Sequence, residues 1–164
     1  METLKPKFLT CLCLAGLLAC SETPREPGAS SPPQEESKAA LRQRLEAEGY
    51  QLFDYVDANT GDTVLMQQYF IAFLKSGPVR SQSQEEADSL QALHLAHLGR
   101  MYEEGYTDIS GPFGDEGEIR GITIYNVPTQ AMADSLANLD PSVRAGRLVI
   151  EVHPWWAAKG FPLR

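Results

Sequence analysis

The sequence predicts an α+β domain of ferredoxin-like βαββαβ order, preceded by a helix and a β-hairpin. Three observations carry that prediction. From residue 64 onward, runs with the two-residue repeat of strands and runs with the helical repeat follow one another in the order β-α-β-β-α-β. Ser83-x-x-Glu86 has the capping-box pattern that opens a helix. Pro-containing breaks, Gly77-Pro78, Gly111-Pro112 and Asp140-Pro141, fall where one run gives way to the next.

Each element has its own signal. Ser37 is an N-cap candidate, Ala40, Leu41 and Leu45 recur at helical spacing, and Gly49 can close a helix over about 38–48. Gln51–Val56 alternates, Asn59-Thr60-Gly61-Asp62 is a turn, and Thr63–Leu74 is rich in β-branched and aromatic residues, so 51–74 reads as a hairpin with a long, mostly buried second strand. Ser76-Gly77-Pro78 stops it. The helix opened by Ser83 should run to Glu104 and end at Gly105. At about 100° per residue, Ala87, Leu90, Leu98 and Met101 fall within one ~80° arc, and His94 and His97 fall inside it too, so both histidines should face the core side of the helix. Tyr106–Ser110 reads as a strand ended by Gly111-Pro112-Phe113-Gly114, and Ile119–Val127 as the next. Pro128-Thr129 opens a second helix to about Leu139, with Met132, Leu136 and Leu139 on one face, broken by Asp140-Pro141. Arg147–His153 is the last strand, ended by Pro154. This order builds a four-stranded antiparallel sheet with two helices on one face. The opposite face then lacks cover, which predicts a homodimer, unless the N-terminal hairpin strand extends or covers the sheet.

The first twenty residues read as export machinery. Lys5 and Lys7 precede an uncharged, mostly apolar stretch, Phe8–Ala19, which is signal-peptide length and too short to span a bilayer as a helix. Leu17-Leu18-Ala19-Cys20 resembles a lipobox, with residues 1–19 cleaved and Cys20 accepting the lipid; an ordinary cleaved signal with an incidental cysteine is the plainer alternative. Residues 20–37 are then a Pro/Ser/Glu-rich tether, 38–63 the helix and hairpin extension, and 64–164 the main domain. The expected location is the bacterial cell envelope, anchored by lipid, with inner and outer membrane both open. All three cysteines, Cys11, Cys13 and Cys20, lie in this segment, so the mature chain would hold no disulfide and no cysteine nucleophile. The formal net charge of −8 makes nucleic acid a poor partner. No nucleophile elbow, phosphate loop, dinucleotide fingerprint or EF-hand loop occurs, and no cofactor is called for.

His94-Leu95-Ala96-His97-Leu98, Gly111-Pro112, Asp140-Pro141, Gly146 and Pro154-Trp155, in that order on a βαββαβ pattern, resemble the YCII-related family over roughly residues 64–157. The resemblance implies a dimeric α+β barrel and a cleft holding a histidine and an aspartate as suspected catalytic partners. One activity known in the family is dehydrochlorination of a chlorinated hydroxyhydroquinone. The histidine maps onto His94, and Asp140 is the acid that matches by motif. A tethered lipoprotein with an added N-terminal unit departs from the family pattern and argues against a cytoplasmic catabolic role.

A histidine whose other nitrogen is held by a carboxylate can move protons in an elimination, isomerisation or decarboxylation, without a metal. The competing reading makes His94 a core residue bonded to a backbone carbonyl. His97 and Arg120 are second choices for contact with an anionic substrate, and Asp115 is a further candidate for binding the unknown small molecule. A His94-x-x-His97 zinc site with Asp115 or His153 is a further alternative. Asp115, Glu116 and Glu118 read equally as a solvated turn, and Trp155 and Trp156 as a dimer contact, a ligand wall or a cap on the barrel end. A non-catalytic ligand-binding or structural module of the envelope fits the same residues.

Overall fold

The computed structural model describes residues 36–163. The expected signal segment 1–19, Cys20 and nearly all of the tether lie outside the described residues. The elements are α1 (Lys38–Ala47), β1 (Leu52–Val56), β2 (Thr63–Ser76), α2 (Gln84–Glu103), β3 (Thr107–Pro112), β4 (Ile119–Tyr125), α3 (Gln130–Ala137), α4 (Pro141–Arg144) and β5 (Leu148–Ala158). No helix among them is long and apolar enough to cross a membrane.

Local chemistry accounts for the boundaries. Ser37 accepts a hydrogen bond from the Ala40 N–H and so starts α1. Ser83 accepts from the Glu86 N–H at 3.2 Å while the Glu86 carboxylate takes the Ser83 N–H at 2.8 Å, which closes the capping box of α2. Gly105, at φ +78°, ends that helix in a conformation that favours glycine. Thr129 caps α3 through the Met132 N–H.

All strand pairs are antiparallel. β5 runs along one edge of β2, while β4 takes the other edge and carries β3 outside it, giving the order β5-β2-β4-β3 of a ferredoxin-like sheet. β1 pairs with Thr63–Gln67, beyond the end of β4 and on the same edge of β2, so the hairpin lengthens the sheet. The alternation of β2 sends Phe70 and Ala72 to the helix side, where they pack with Tyr125, Val127, Ala133 and Ala137. Ala72 and Ala133 are almost completely buried. Without side chains beyond Cβ at these two points, α3 can lie close on the sheet.

Three expectations need correction. Pro154 does not end the last strand; β5 continues to Ala158, with Pro154 opposite Phe70. β5 lies at the edge of the sheet, where a residue without an N–H leaves no ladder bond unmade. Gly111 and Pro112 belong to β3, paired with Ile122 and Gly121, and are not the turn after it. Leu139 lies past the end of α3 and is exposed, and the helix buries Ala133 and Ala137 with Met132 and Leu136 packed alongside. Asp140-Pro141 does break that helix, but it also starts another. Asp140 accepts the Ser142 N–H, and Pro141 takes the first turn of α4, where a missing N–H does no harm.

Two close backbone approaches shape the end of the sheet where β2 leaves and β5 begins. A Cβ on Gly77 would lie 2.2 Å from the Gly146 carbonyl oxygen, so only glycine allows that contact. The Gly77 N–H donates to Arg147 O and the Val79 N–H to Gly146 O, which zips residues 77–79 onto 146–147. A Cβ on Gly121 would lie 2.6 Å from Gly111 O, so β3 and β4 also close up tightly at this end.

Candidate functional site

His94 and His97 both lie on the buried face of α2, with Met101 one turn further on, as the spacing requires. They do different things there. His94 Nδ1 is 2.5 Å from Asp140 Oδ2. The other carboxylate oxygen of Asp140 accepts the Ser142 N–H at 2.8 Å, and the Ser142 hydroxyl donates to Leu90 O on α2 at 3.2 Å. The N-cap of α4 is thus the residue that holds the histidine of α2. Burial pushes the Asp140 carboxyl up, but the hydrogen bonds from His94 and from the Ser142 N–H outweigh it and hold the carboxyl below its ordinary value. An ionised Asp140 only accepts, so Nδ1 of His94 carries the proton it shares with the carboxylate. In the neutral ring, Nε2 is then the unprotonated nitrogen.

His94 lines a cleft of about 430 Å³ between α2, the end of the sheet and the segment leading into β5. Leu74, Leu95, Leu98 and Leu148 give it apolar surface, and Gln91 and Ser110 add neutral polar groups. Arg80, Arg120 and Arg147 line the same cleft. The Ser110 hydroxyl is bonded to Thr123 Oγ1 at 3.0 Å, which fixes it on the floor. Of the residues singled out from sequence, His94, Asp140 and Arg120 come together here. Arg80, Arg147 and Ser110 were not singled out. A topological signal for Arg80 and Arg147 was present. In βαββαβ order the first and last strands are antiparallel neighbours, so the residues after one and before the other must meet, as Ser76 and Leu148 do.

His97 does not line the cleft. It is buried at 2% exposure, with Nδ1 accepting from an Arg100 N–H at 3.0 Å and Nε2 without a partner among the described residues. Arginine has only donors, so the neutral ring carries its proton on Nε2. Burial, aided by Arg100 and His94, lowers the His97 pKa against the opposing pull of Asp140. Asp115 lies in a separate hollow with Lys75, Phe113 and Glu118. His153 is on the face of β5 opposite to Val152, which packs against the core, and it bonds to Glu151 at 2.7 Å. The sheet therefore stands between His153 and the histidines of α2. No group of three His, Cys, Asp or Glu side chains among the described residues could hold a metal ion. Trp155 and Trp156 point to opposite faces of the sheet, against Tyr69 and Phe53 respectively, and neither lines the cleft.

The depressed His97 pKa has a stability consequence. Its neutral form is favoured by the fold, so the contribution is complete above the unfolded value of 6.5 and is lost as pH falls below it. Asp140 acts in the same direction at lower pH, losing its contribution as pH falls below 3.8. We expect His97→Leu to flatten the fall in Tm on the acid side of 6.5. At about pH 8 it should stay within ~1 kcal/mol of the parent chain, because deleting a buried, unsatisfied N–H offsets the lost bond to Arg100. Thermal unfolding across pH checks this; an unchanged acid slope would contradict the assignment of that slope to His97.

Residues 70–156 match the family model of the YCII-related domain. The structure of 5-chloro-2-hydroxyhydroquinone dehydrochlorinase from Burkholderia phenoliruptrix AC1100, in complex with 2,5-dihydroxybenzoquinone, is similar at 21% identity, with 53% of this chain and 92% of that chain covered and a TM-score of 0.41. Comparison with curated proteins gives no match. The matched residues span more than half of the sequence and include His94, Asp140 and most of the cleft, and the chain belongs to the YCII-related family.

Proposed function

We propose that the domain carries out proton-transfer chemistry, an elimination or isomerisation, on a small molecule bound in the His94 cleft. The observation that carries this reading is the 2.5 Å contact between His94 Nδ1 and a buried, ionised Asp140, behind a cleft that His94 itself lines. The carboxylate fixes the tautomer and leaves Nε2 as the base. In an elimination, Nε2 takes a proton from substrate carbon. The C–H pair becomes the new double bond, and the leaving group departs with its own bonding pair. In an isomerisation the same proton is returned at another carbon. Neither route requires a nucleophile from the protein.

A panel of small enolisable compounds incubated in D2O tests this through loss of C–H signals in proton NMR. His94→Gln should slow exchange by ~10²–10⁴-fold, the usual contribution of a positioned acid–base group. Asp140→Asn should act similarly by donating to Nδ1 and moving the proton to Nε2. Exchange as fast in His94→Gln as in the parent chain would remove His94 from the chemistry.

The working form we propose is a homodimer hung from the cell envelope by lipid on Cys20. Support for the dimer comes from the sheet face opposite α2 and α3, where Ile71, Phe73, Ile122 and Ile109 are only partly buried and Val149 and Trp155 are exposed. Sedimentation should give a dimer, and Trp155→Glu together with Val149→Glu should give a folded monomer; a monomeric parent chain would sink the idea. Support for the anchor comes from the lipobox-like Leu17-Leu18-Ala19-Cys20 and the tether after it. Palmitate labelling in a bacterial host should be lost in Cys20→Ser, and labelling that persists would contradict it.

A further inference from the structure

From the charge distribution around the cleft, we infer that its ligand is a small organic carboxylate with an apolar body, gripped at its charged end by Arg80, Arg120 and Arg147. The inference rests on reading the His94 cleft as a binding site, and it adds the class of molecule. The chain has 22 acidic against 14 basic residues, yet three arginines and no aspartate or glutamate line this cleft. Asp140 stands behind His94, with both carboxylate oxygens already engaged. A cleft of one sign in a chain of the other is a place where charge has been set apart, and low-dielectric walls strengthen its pull on an anion.

The three guanidinium groups are little used by the protein itself. Arg147 makes a 3.4 Å contact with the neutral Gln82 side chain. Arg120 donates to Gly117 O at 3.2 Å and lies 3.7 Å from Glu116, whose side chain is 99% exposed. Arg80 forms no salt bridge among the described residues. Exposed pairs of this kind offset little of a guanidinium charge. The frame that carries the arginines is rigid. Arg147 O accepts the Gly77 N–H, and Gly146 O accepts the N–H of Val79, one residue before Arg80. Arg120 precedes Gly121, held against Gly111. The fork of a guanidinium matches the two oxygens of a carboxylate, and a grip set in advance costs less ordering on binding.

The remaining walls describe the rest of the ligand. Leu74, Leu95, Leu98 and Leu148 are aliphatic and would cover a ring or short chain. A fully hydrated inorganic anion would gain nothing from them. A volume of about 430 Å³ also suits a small molecule better than a peptide. With the carboxylate on the arginines, the apolar body lies toward His94, and the same positive charge stabilises the enolate that proton removal would create.

Purified full-length chain titrated with benzoate, benzamide and inorganic phosphate, followed through the His94 ring signals by NMR and by calorimetry, tests the inference. Benzoate should perturb the His94 ring and bind on the order of ten-fold or more tighter than benzamide, with affinity falling as salt rises. Arg147→Gln and Arg80→Gln should each weaken benzoate roughly ten-fold, with Lys at either position restoring only part of it. Equal binding of benzoate and benzamide, indifference to both arginine substitutions, or no perturbation of His94 by any anion would overturn the inference. So would phosphate binding as tightly as benzoate, which would mean that the apolar walls play no part. His94→Gln separates the two proposals. It should bind benzoate and lose exchange, so retained exchange in that variant refutes the proton-transfer reading alone, and charge-blind binding refutes the carboxylate alone.

Discussion

Asp140 accepts one hydrogen bond on each carboxylate oxygen, from the His94 ring and from the Ser142 backbone, and the organisation of the cleft follows from those two bonds. The first locks α2 to the turn before α4. The second makes the same residue the N-cap of α4, whose Ser142 hydroxyl reaches back to α2 at Leu90. A buried carboxylate without such partners would be driven toward its neutral form, and the ring beside it would lose its orientation. With them, the charge stays on Asp140 and the ring stays in one tautomer. Removing either partner would leave a buried polar group unmatched, which makes the pair hard to take apart piecemeal.

The cleft is assembled from parts far apart in sequence, each placed by a different physical device. His94 comes from helical periodicity, Asp140 from a cap, and Ser110 from a cross-strand hydroxyl pair with Thr123. Arg80 and Arg147 are held near each other because glycine at position 77 lets two backbones approach more closely than any side chain would permit. The opposite face of the sheet has a different character. There Lys75 pairs with Glu151, and Glu151 with His153, around partly covered apolar residues. One sheet thus carries the His94 cleft on its helix side and partly covered apolar side chains on the other.

Much of this was legible in the sequence because it rests on local rules. The capping box at Ser83 and Glu86, the N-cap at Ser37 and the glycine stop at Gly105 all depend on residues within one turn of each other. Helical spacing placed both histidines inward, but it could not say which one meets the cleft, since that is decided by where Asp140 lies in the fold. The second histidine instead became a buried ring with one orphan nitrogen. Pro154 and Gly111-Pro112 misled for a shared reason. Their local preference is to end strands, and the lack of a neighbour at the edge, or a tight pairing across it, made that preference irrelevant. Arg80 lies in an irregular stretch with no period, and its place in the cleft appears only once the first and last strands are set side by side.

In the proposed chemistry, Asp140 holds His94 as a base with Nε2 unprotonated. The most direct measurement is the tautomer of the His94 ring, read from its nitrogen shifts and long-range nitrogen–proton correlations in the full-length chain at a pH where the ring is neutral. The proton should lie on Nδ1 with Nε2 bare, and the two should exchange places in Asp140→Asn. A proton on Nε2 in the parent chain would contradict it, and His94 would then be a structural residue with no base to offer the cleft.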